Sequence, residues 1–211
     1  MPLYSRLIAI LDRQHAGKPN RNDLGAGVDL DGDGEIDNDE REANLTPILI
    51  KACKRRLLAA GAEVIVIETG SYWKRHQRAN EIAQTNPDAM VVYVAQHLNA
   101  GGGSYSAGFY DERSRNGAKL AMNIAGVHSE AELAGVSRTI TRQCGPTGDW
   151  VNAFNTIKGV YAGPANICGY CSEPVFMDCL AHRQHLTENG LKRLGELQAE
   201  GILSFFIGSM S

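Results

Sequence analysis

Continuous apolar runs alternate along this chain with stretches whose apolar residues recur at helical spacing. Leu7-Ile8-Ala9-Ile10-Leu11, Ala62 to Glu68 and Ala89 to Ala95 lack the in–out alternation of a half-wet strand. Each therefore predicts a short strand, the first and third buried on both faces. Ser106 to Tyr110 is a fourth strand, and Val160 to Gly169 with the next few residues a fifth. Helical spacing predicts helices over Asn38–Ala60, Trp73–Thr85, Gly117–Val127 and Leu186–Phe206. The first carries Leu45, Ile48, Leu49, Ala52, Leu57 and Leu58 on one side and stops at Gly61. Pro47 falls in its first turns, where a missing N–H costs least. Thr139 to Gly148 reads as irregular. Strands alternating with helices predict one α/β sheet layered by helices.

At 211 residues the chain suits one full-sized core, so a single domain over 1–211 is expected. Twenty-one basic residues against 24 acidic ones give a net charge of −3. The longest basic run, Lys54-Arg55-Arg56, reads as the wet face of a helix, and nothing asks for nucleic acid. No apolar run reaches the roughly 20 residues of a membrane span, and the first residues lack the pattern of a secretory signal. The expectation is a monomer made without a leader. Five cysteines, an odd number, read as mostly reduced thiols.

One polar stretch changes the picture. Asp29 to Glu40 (D-L-D-G-D-G-E-I-D-N-D-E) matches the calcium loop of an EF-hand position for position. Asp29, Asp31 and Asp33 occupy positions one, three and five, and Gly34 the sharp turn at six. Glu35 offers its backbone carbonyl at seven, Ile36 is at eight, Asp37 at nine and Glu40 at twelve. Pro19, Gly25 and Gly27 argue against an incoming helix, so the expectation is a loop followed by a helix with no paired second hand. The competing reading is an acidic surface loop, which leaves the glycine and isoleucine unexplained.

Two histidines stand just past predicted strand ends, His15 after Leu11-Asp12-Arg13-Gln14 and His97 after Ala95-Gln96. Open α/β sheets carry ligands there. Glu42 opens a helix, and Glu173 follows the last strand. His-Glu-His is an open three-ligand set for Zn²⁺ that leaves room for water, and a carboxylate that is not a ligand can act as base. Taken singly, each residue has a plainer reading: a structural histidine, a helix-start charge favoured by the macrodipole, a salt-bridge partner. Cys168-Gly-Tyr-Cys171 has C-x-x-C spacing but reads as buried strand cysteines. His182 and His185 read as surface residues. Arg78, Asn80, Asn99, Arg142 and Tyr161 are candidates for a substrate groove, among which the sequence does not select.

The segments I8-A-I-L-D-R-Q-H15, R41-E-A-N-L-T46 and V92-Y-V-A-Q-H97-L-N-A100 resemble the zinc-dependent N-acetylmuramoyl-L-alanine amidases of the Amidase_3 type. That group includes bacterial cell-wall amidases and phage endolysins. The resemblance covers Leu7 to about Asp178 and implies a single, mixed, mostly parallel sheet flanked by helices. It also implies His15, Glu42 and His97 as zinc ligands, Glu173 as the catalytic glutamate and peptidoglycan as substrate. The sequence departs from the pattern at Arg13-Gln14 and Ala16, at Gln96 and Leu98, and at Pro174-Val175-Phe176, and it inserts the acidic loop. An endolysin held in the host cytoplasm until release, acting on the cell wall, is the expected setting. The alternatives are another zinc peptidase of cell-wall peptides and a catalytically silent, calcium-dependent wall-binding module. Glu40 and Glu42, placed on one helix, would point about 200° apart and so serve two metals.

Overall fold

The computed structural model describes residues 4–15, 23–146, 151–161 and 163–210, without the side chains of Asn152 and Tyr161. The stretch Ala16 to Asn22, the end of the segment expected to be irregular (Thr147-Gly148) and the Tyr161 side chain lie outside it.

Among the described residues, six strands form one mixed sheet in the order β2-β1-β3-β6-β4-β5. They are β1 (Arg6–Arg13), β2 (Glu63–Ile67), β3 (Ala89–Gln96), β4 (Ser106–Asp111), β5 (Thr139–Cys144) and β6 (Ile167–Glu173). All neighbours run parallel except β4 and β6. The helices are α1 (Glu42–Ala59), α2 (Tyr72–Thr85), α3 (Arg115–Glu130), α4 (Val151–Tyr161) and α5 (Glu188–Ser209). The expected α/β class and the flanking helices are therefore present.

The continuous apolar strands follow from helices on both faces. Leu7, Ala9 and Leu11 of β1 and Val92 and Val94 of β3 pack with α1, α3 and α5. Ile8, Ile10, Val91, Tyr93 and Ala95 pack with α2 and α4 on the other face. Between their ends β1 and β3 are buried at every position, so no polar alternation is written into them, whereas the edge strand β2 is only half-buried.

Several expected elements differ. The helix expected over Asn38–Ala60 is broken: a single 3-10 turn, Asn38–Glu40, precedes α1, and Arg41 between them is extended (φ −89°, ψ 145°). The cause is a backbone bridge between Gly27 and Arg41, which draws Arg41 into strand-like geometry. Thr139–Cys144, expected to be irregular, is the edge strand β5. Val160, expected in the last strand, closes α4, a helix the spacing did not suggest, and β6 begins only at Ile167. The terminal helix starts at Glu188 behind a 3-10 segment, Leu180–Leu186.

Pro47 stays within α1 because its missing donor is replaced. The carbonyl it leaves without a helical partner, that of Ala43, accepts from Arg13 Nε at 3.2 Å and Nη2 at 2.6 Å. This pair ties the end of β1 to the start of α1, side by side.

Candidate functional site

Strands β1, β3 and β6 are parallel neighbours, so their C-terminal ends lie together along one sheet edge. Gln96 is in register with Arg13 on one side and Ser172 on the other. The next residues of β3 and β6 are His97 and Glu173, and His15 is two beyond Arg13. The pairing continues past the strand ends, with the His97 amide donating to the Ser172 carbonyl at 2.9 Å and the Asn99 amide to Val175 at 2.9 Å. This is the edge at which parallel sheets bind ligands.

The structure brings His15, Glu42 and His97 together. His15 Nε2 lies 3.1 Å from His97 Nδ1 and 3.3 Å from Glu42 Oε2, and His97 Nδ1 lies 2.9 Å from Glu42 Oε1. The carboxylate is also held from the backbone, by the Leu98 amide at 2.9 Å and the Ala26 amide at 3.3 Å. His15 has a positive φ of 61°, a conformation that costs an ordinary residue energy and that clusters at functional sites. On its far side, His15 Nδ1 meets Asp23 Oδ1 at 2.9 Å, and the Gly25 amide steadies the same oxygen at 3.1 Å. An ionised carboxylate only accepts, so Nδ1 carries the proton and Nε2 turns its lone pair into the cluster.

The charges of the trio are coupled. Burial lowers the His15 pKa, more than Glu42 and Asp23 raise it. Burial works against the His97 cation too, but there the hydrogen bond and charge of Glu42 prevail and its pKa is raised. For Glu42, burial favours the neutral acid, and the two histidines reverse this and hold its pKa down. His97 Nε2 is buried and has no hydrogen-bond partner among the described residues. Two imidazole nitrogens and a carboxylate turned inward around one point form a set that can hold a metal ion.

Glu173 shares with this trio a cleft of about 680 Å³, whose wall also includes Tyr72, Asn99 and Asn155. Burial is the main cause that raises its pKa from 4.5 to about 7; Glu42 adds to the rise and His97 opposes it. Of the four groove candidates whose side chains are described, only Asn99 lines this cleft. Asn80 is engaged with the Gly159 carbonyl at 2.9 Å, and Arg78 and Arg142 are exposed elsewhere.

The acidic loop closes on itself beside the cleft. Carboxylate oxygens of Asp29, Asp31 and Glu40 lie within 4.8 Å of one another. Asp33 and Asp37 stand outside that trio, although their charges are near: burial and then Asp33, Asp39, Glu40 and Asp31 raise the Asp37 pKa. Asp29 accepts from the amides of Gly32 (2.6 Å) and Gly34 (3.0 Å), and Asp33 from that of Glu35 (2.8 Å). Gly34 has the positive φ, 93°, that the turn needs. The 23–30 approach is not helical. Glu40 accepts from the amides of Leu30, Asp31 and Asp37, on the loop side, whereas Glu42 faces the histidines. Glu40 and Glu42 therefore face different sides, but the divergence comes from the extended residue Arg41 and not from 200° of one helix.

Cys168 and Cys171 point to opposite faces of β6, one into each core, and cannot share a ligand. His182 and His185, expected at the surface, are buried. His182 Nδ1 accepts from the Phe176 amide at 2.9 Å, and the Nε2 atoms meet Gly135 O at 3.1 Å and Ala134 O at 2.7 Å, so both are structural. Sequence reasoning missed a fully buried group beneath His15. Asp12 is bound by Arg75, Tyr93 and Gln14, and Arg75 also donates to Gly70 O at 2.6 Å and Arg13 O at 2.7 Å. Burial raises the Asp12 pKa against the pull of Arg75. The signal was a charged residue closing an apolar run, which cannot be buried without partners. Asp23, in a loop, gave no such signal.

No family model matches the sequence, and no curated protein does. The fold has clear likenesses among solved structures. Cwp6 from Clostridium difficile aligns with a TM-score of 0.69 at 19% identity, over 95% of this chain and 29% of that one. The chain thus spans less than a third of Cwp6. The N-acetylmuramoyl-L-alanine amidase AmiC2 of Nostoc punctiforme aligns at 0.65 and 16% identity, over 96% of this chain and 98% of that one. The catalytic domain of the CD27L endolysin targeting Clostridia difficile aligns at 0.60 and 14%, over 95% and 98%. At these identities the likeness establishes the fold.

Proposed function

We propose that this chain is a zinc-dependent peptidoglycan amidase that cuts the amide between N-acetylmuramic acid and L-alanine. The observation that carries the reading is the convergence of His15 Nε2, Glu42 and His97 Nδ1 in the floor of the cleft, with Glu173 at the adjoining strand end. Donor atoms about 2.0–2.1 Å from one tetrahedral ion lie roughly 3.3 Å apart. The observed separations, 2.9 to 3.3 Å, fit that set. The likeness to a structure named as an N-acetylmuramoyl-L-alanine amidase supports the choice of substrate.

Zinc held by these residues would supply Lewis-acid polarisation of the scissile carbonyl and a water acidified towards neutrality. Glu173 takes the proton of the attacking water, holds it on its carboxyl and delivers it to the leaving nitrogen of L-alanine. A carboxyl with a pKa raised to about 7 suits both halves of that shuttle near neutral pH. Asp23 keeps His15 in the tautomer that faces the cluster. The test is product analysis on purified sacculi. Release of peptides with a free L-alanine amino group, lost in Glu173→Ala, is expected. Cleavage within the peptide, or equal lysis by both proteins, would overturn the reading.

The acidic loop, read as a calcium site, completes the proposal. The Asp29–Asp31–Glu40 trio supports it, as does the glycine turn at Gly34. Calcium there would order the excursion that leads to Glu42, so that the third zinc ligand is in place before zinc arrives. Zinc titrations with and without calcium check this. Unchanged zinc affinity and thermal stability would sink the idea. Cell-wall action after release from a host cytoplasm, in the manner of an endolysin, is the setting we propose, and metal analysis finding both ions would set the chain apart from a silent wall-binding module.

A further inference from the structure

A second groove, about 540 Å³, opens beside the cleft along α2 and α4, and Tyr72 lines both. We propose that this groove is a subsite for the glycan strand of the substrate, with Trp73 as its stacking platform. The proposal rests on the amidase reading and adds to it where the polymer lies.

Three observations carry it. First, Trp73 is 68% exposed on the groove wall, although a tryptophan is ordinarily buried for most of its surface. The electron-rich face of an aromatic ring attracts partly positive C–H groups, and a pyranose presents a face of such groups. Second, the rest of the wall is polar but nearly neutral. Gln77 and Gln84 are exposed amides, Asn80 is held by the Gly159 carbonyl, and the wall carries one acid, Glu81, and one base, Lys158. A glycan strand whose muramic carboxyls are tied up in peptide bonds is also neutral and rich in hydroxyls and amides, whereas a stem peptide carries free carboxylates. Third, the groove is rigid and continuous with the reaction site. Tyr72 stacks on His76 at 6.4 Å, His76 is fixed by the Thr156 carbonyl at 2.7 Å, and Asn80 ties α2 to Gly159. From Tyr72 to Gln84 the helix rises about 18 Å, room for several sugar rings in a row.

The test uses the metal-loaded full chain and Trp73→Ala, on two substrates: soluble uncrosslinked peptidoglycan strands, and a single muramic acid bearing one stem peptide, which reaches only the cleft. The expected result is a roughly five- to tenfold drop in kcat/KM on the strands, the scale of one stacking contact, with the single-sugar substrate unchanged. An equal drop on both, or no drop on either, overturns the subsite. Should the unaltered protein cleave neither substrate, the amidase reading fails, and calorimetry still reads the groove. Peptide-free glycan strands that bind the unaltered protein and lose that affinity in Trp73→Ala support the subsite. No binding, equal binding, or a loss seen with free stem peptide instead overturns it. Gln77→Ala, an exposed amide on the same wall, should repeat the pattern with a smaller drop.

Discussion

Replacing Glu173 by Gln should stabilise the metal-free protein above neutral pH while abolishing turnover. In the folded chain the Glu173 carboxyl is raised from 4.5 to about 7, chiefly by burial. The native state therefore holds this proton more tightly than the unfolded chain does, and its stability falls as pH rises from about 4.5 through 7. At about 1.36 kcal/mol for each pH unit between 4.5 and about 7, the full effect would cost roughly 3 kcal/mol. Because Glu173 opens partly onto the cleft, where water screens it, about 2 kcal/mol is the working figure. Glutamine keeps the shape and removes the charge. Urea unfolding of both proteins in chelator should give matching stabilities at pH 4.5. At pH 8 Glu173→Gln should be more stable by about 2 kcal/mol. Groups away from the cleft titrate alike in both proteins, whereas His97 and Glu42 are coupled to Glu173, so the difference reads the Glu173 carboxyl together with that coupling. A variant no more stable at pH 8 than at pH 4.5, relative to the unaltered protein, would show that Glu173 is not desolvated, and the shuttle assigned to it would lose its basis.

Asp23→Asn should lower zinc affinity by roughly 10- to 100-fold, because the His15 tautomer is no longer fixed, as read by competition with a chromophoric chelator. Gly25→Ala places a Cβ 2.5 Å from Glu42 Oε2 at a φ of +72°, so it should cost about 1–3 kcal/mol and also weaken zinc binding; a variant with normal metal affinity would refute the crowding. Arg75→Met leaves Asp12 buried without its countercharge and should cost about 3–5 kcal/mol in thermal or urea unfolding, with part of the loss recovered in the double variant Asp12→Asn, Arg75→Met.

What could be read in the sequence was what burial on both faces or a fixed spacing imposes. β1 and β3 were visible because each face meets a helix, and His15 and His97 because both follow such a strand. β5 was hidden because an edge strand with one wet side, T-I-T-R-Q-C, needs few apolar residues. α4 was hidden by Asn155, Thr156 and Gly159, poor helix formers kept helical by packing of Phe154, Ile157 and Val160 against the sheet. His182 and His185 were misplaced because their partners are backbone carbonyls of a distant turn, which no local pattern announces. The partners of His15 and Glu42 were invisible for the same reason: Asp23 and the Ala26 amide act through loop geometry.

That geometry explains why the acidic loop and the trio are one construction. The chain from Leu24 to Val28 pairs with the chain from Glu40 to Ala43 through three amides: Val28 to Glu40 O (3.4 Å), Glu42 to Ala26 O (2.8 Å) and Ala43 to Leu24 O (3.0 Å). The returning strand carries Glu42, while the outgoing one carries Asp23 and the Ala26 amide that touch His15 and Glu42. Arg13 then locks the first turn of α1 to β1 through Ala43. Whatever orders the 29–40 loop thus orders both sides of this ribbon at once, and with it the tautomer of one histidine and the placement of the carboxylate between two. Deleting the loop should cost the site more than its acidic residues, because the ribbon that aims Glu42 would lose its closed end.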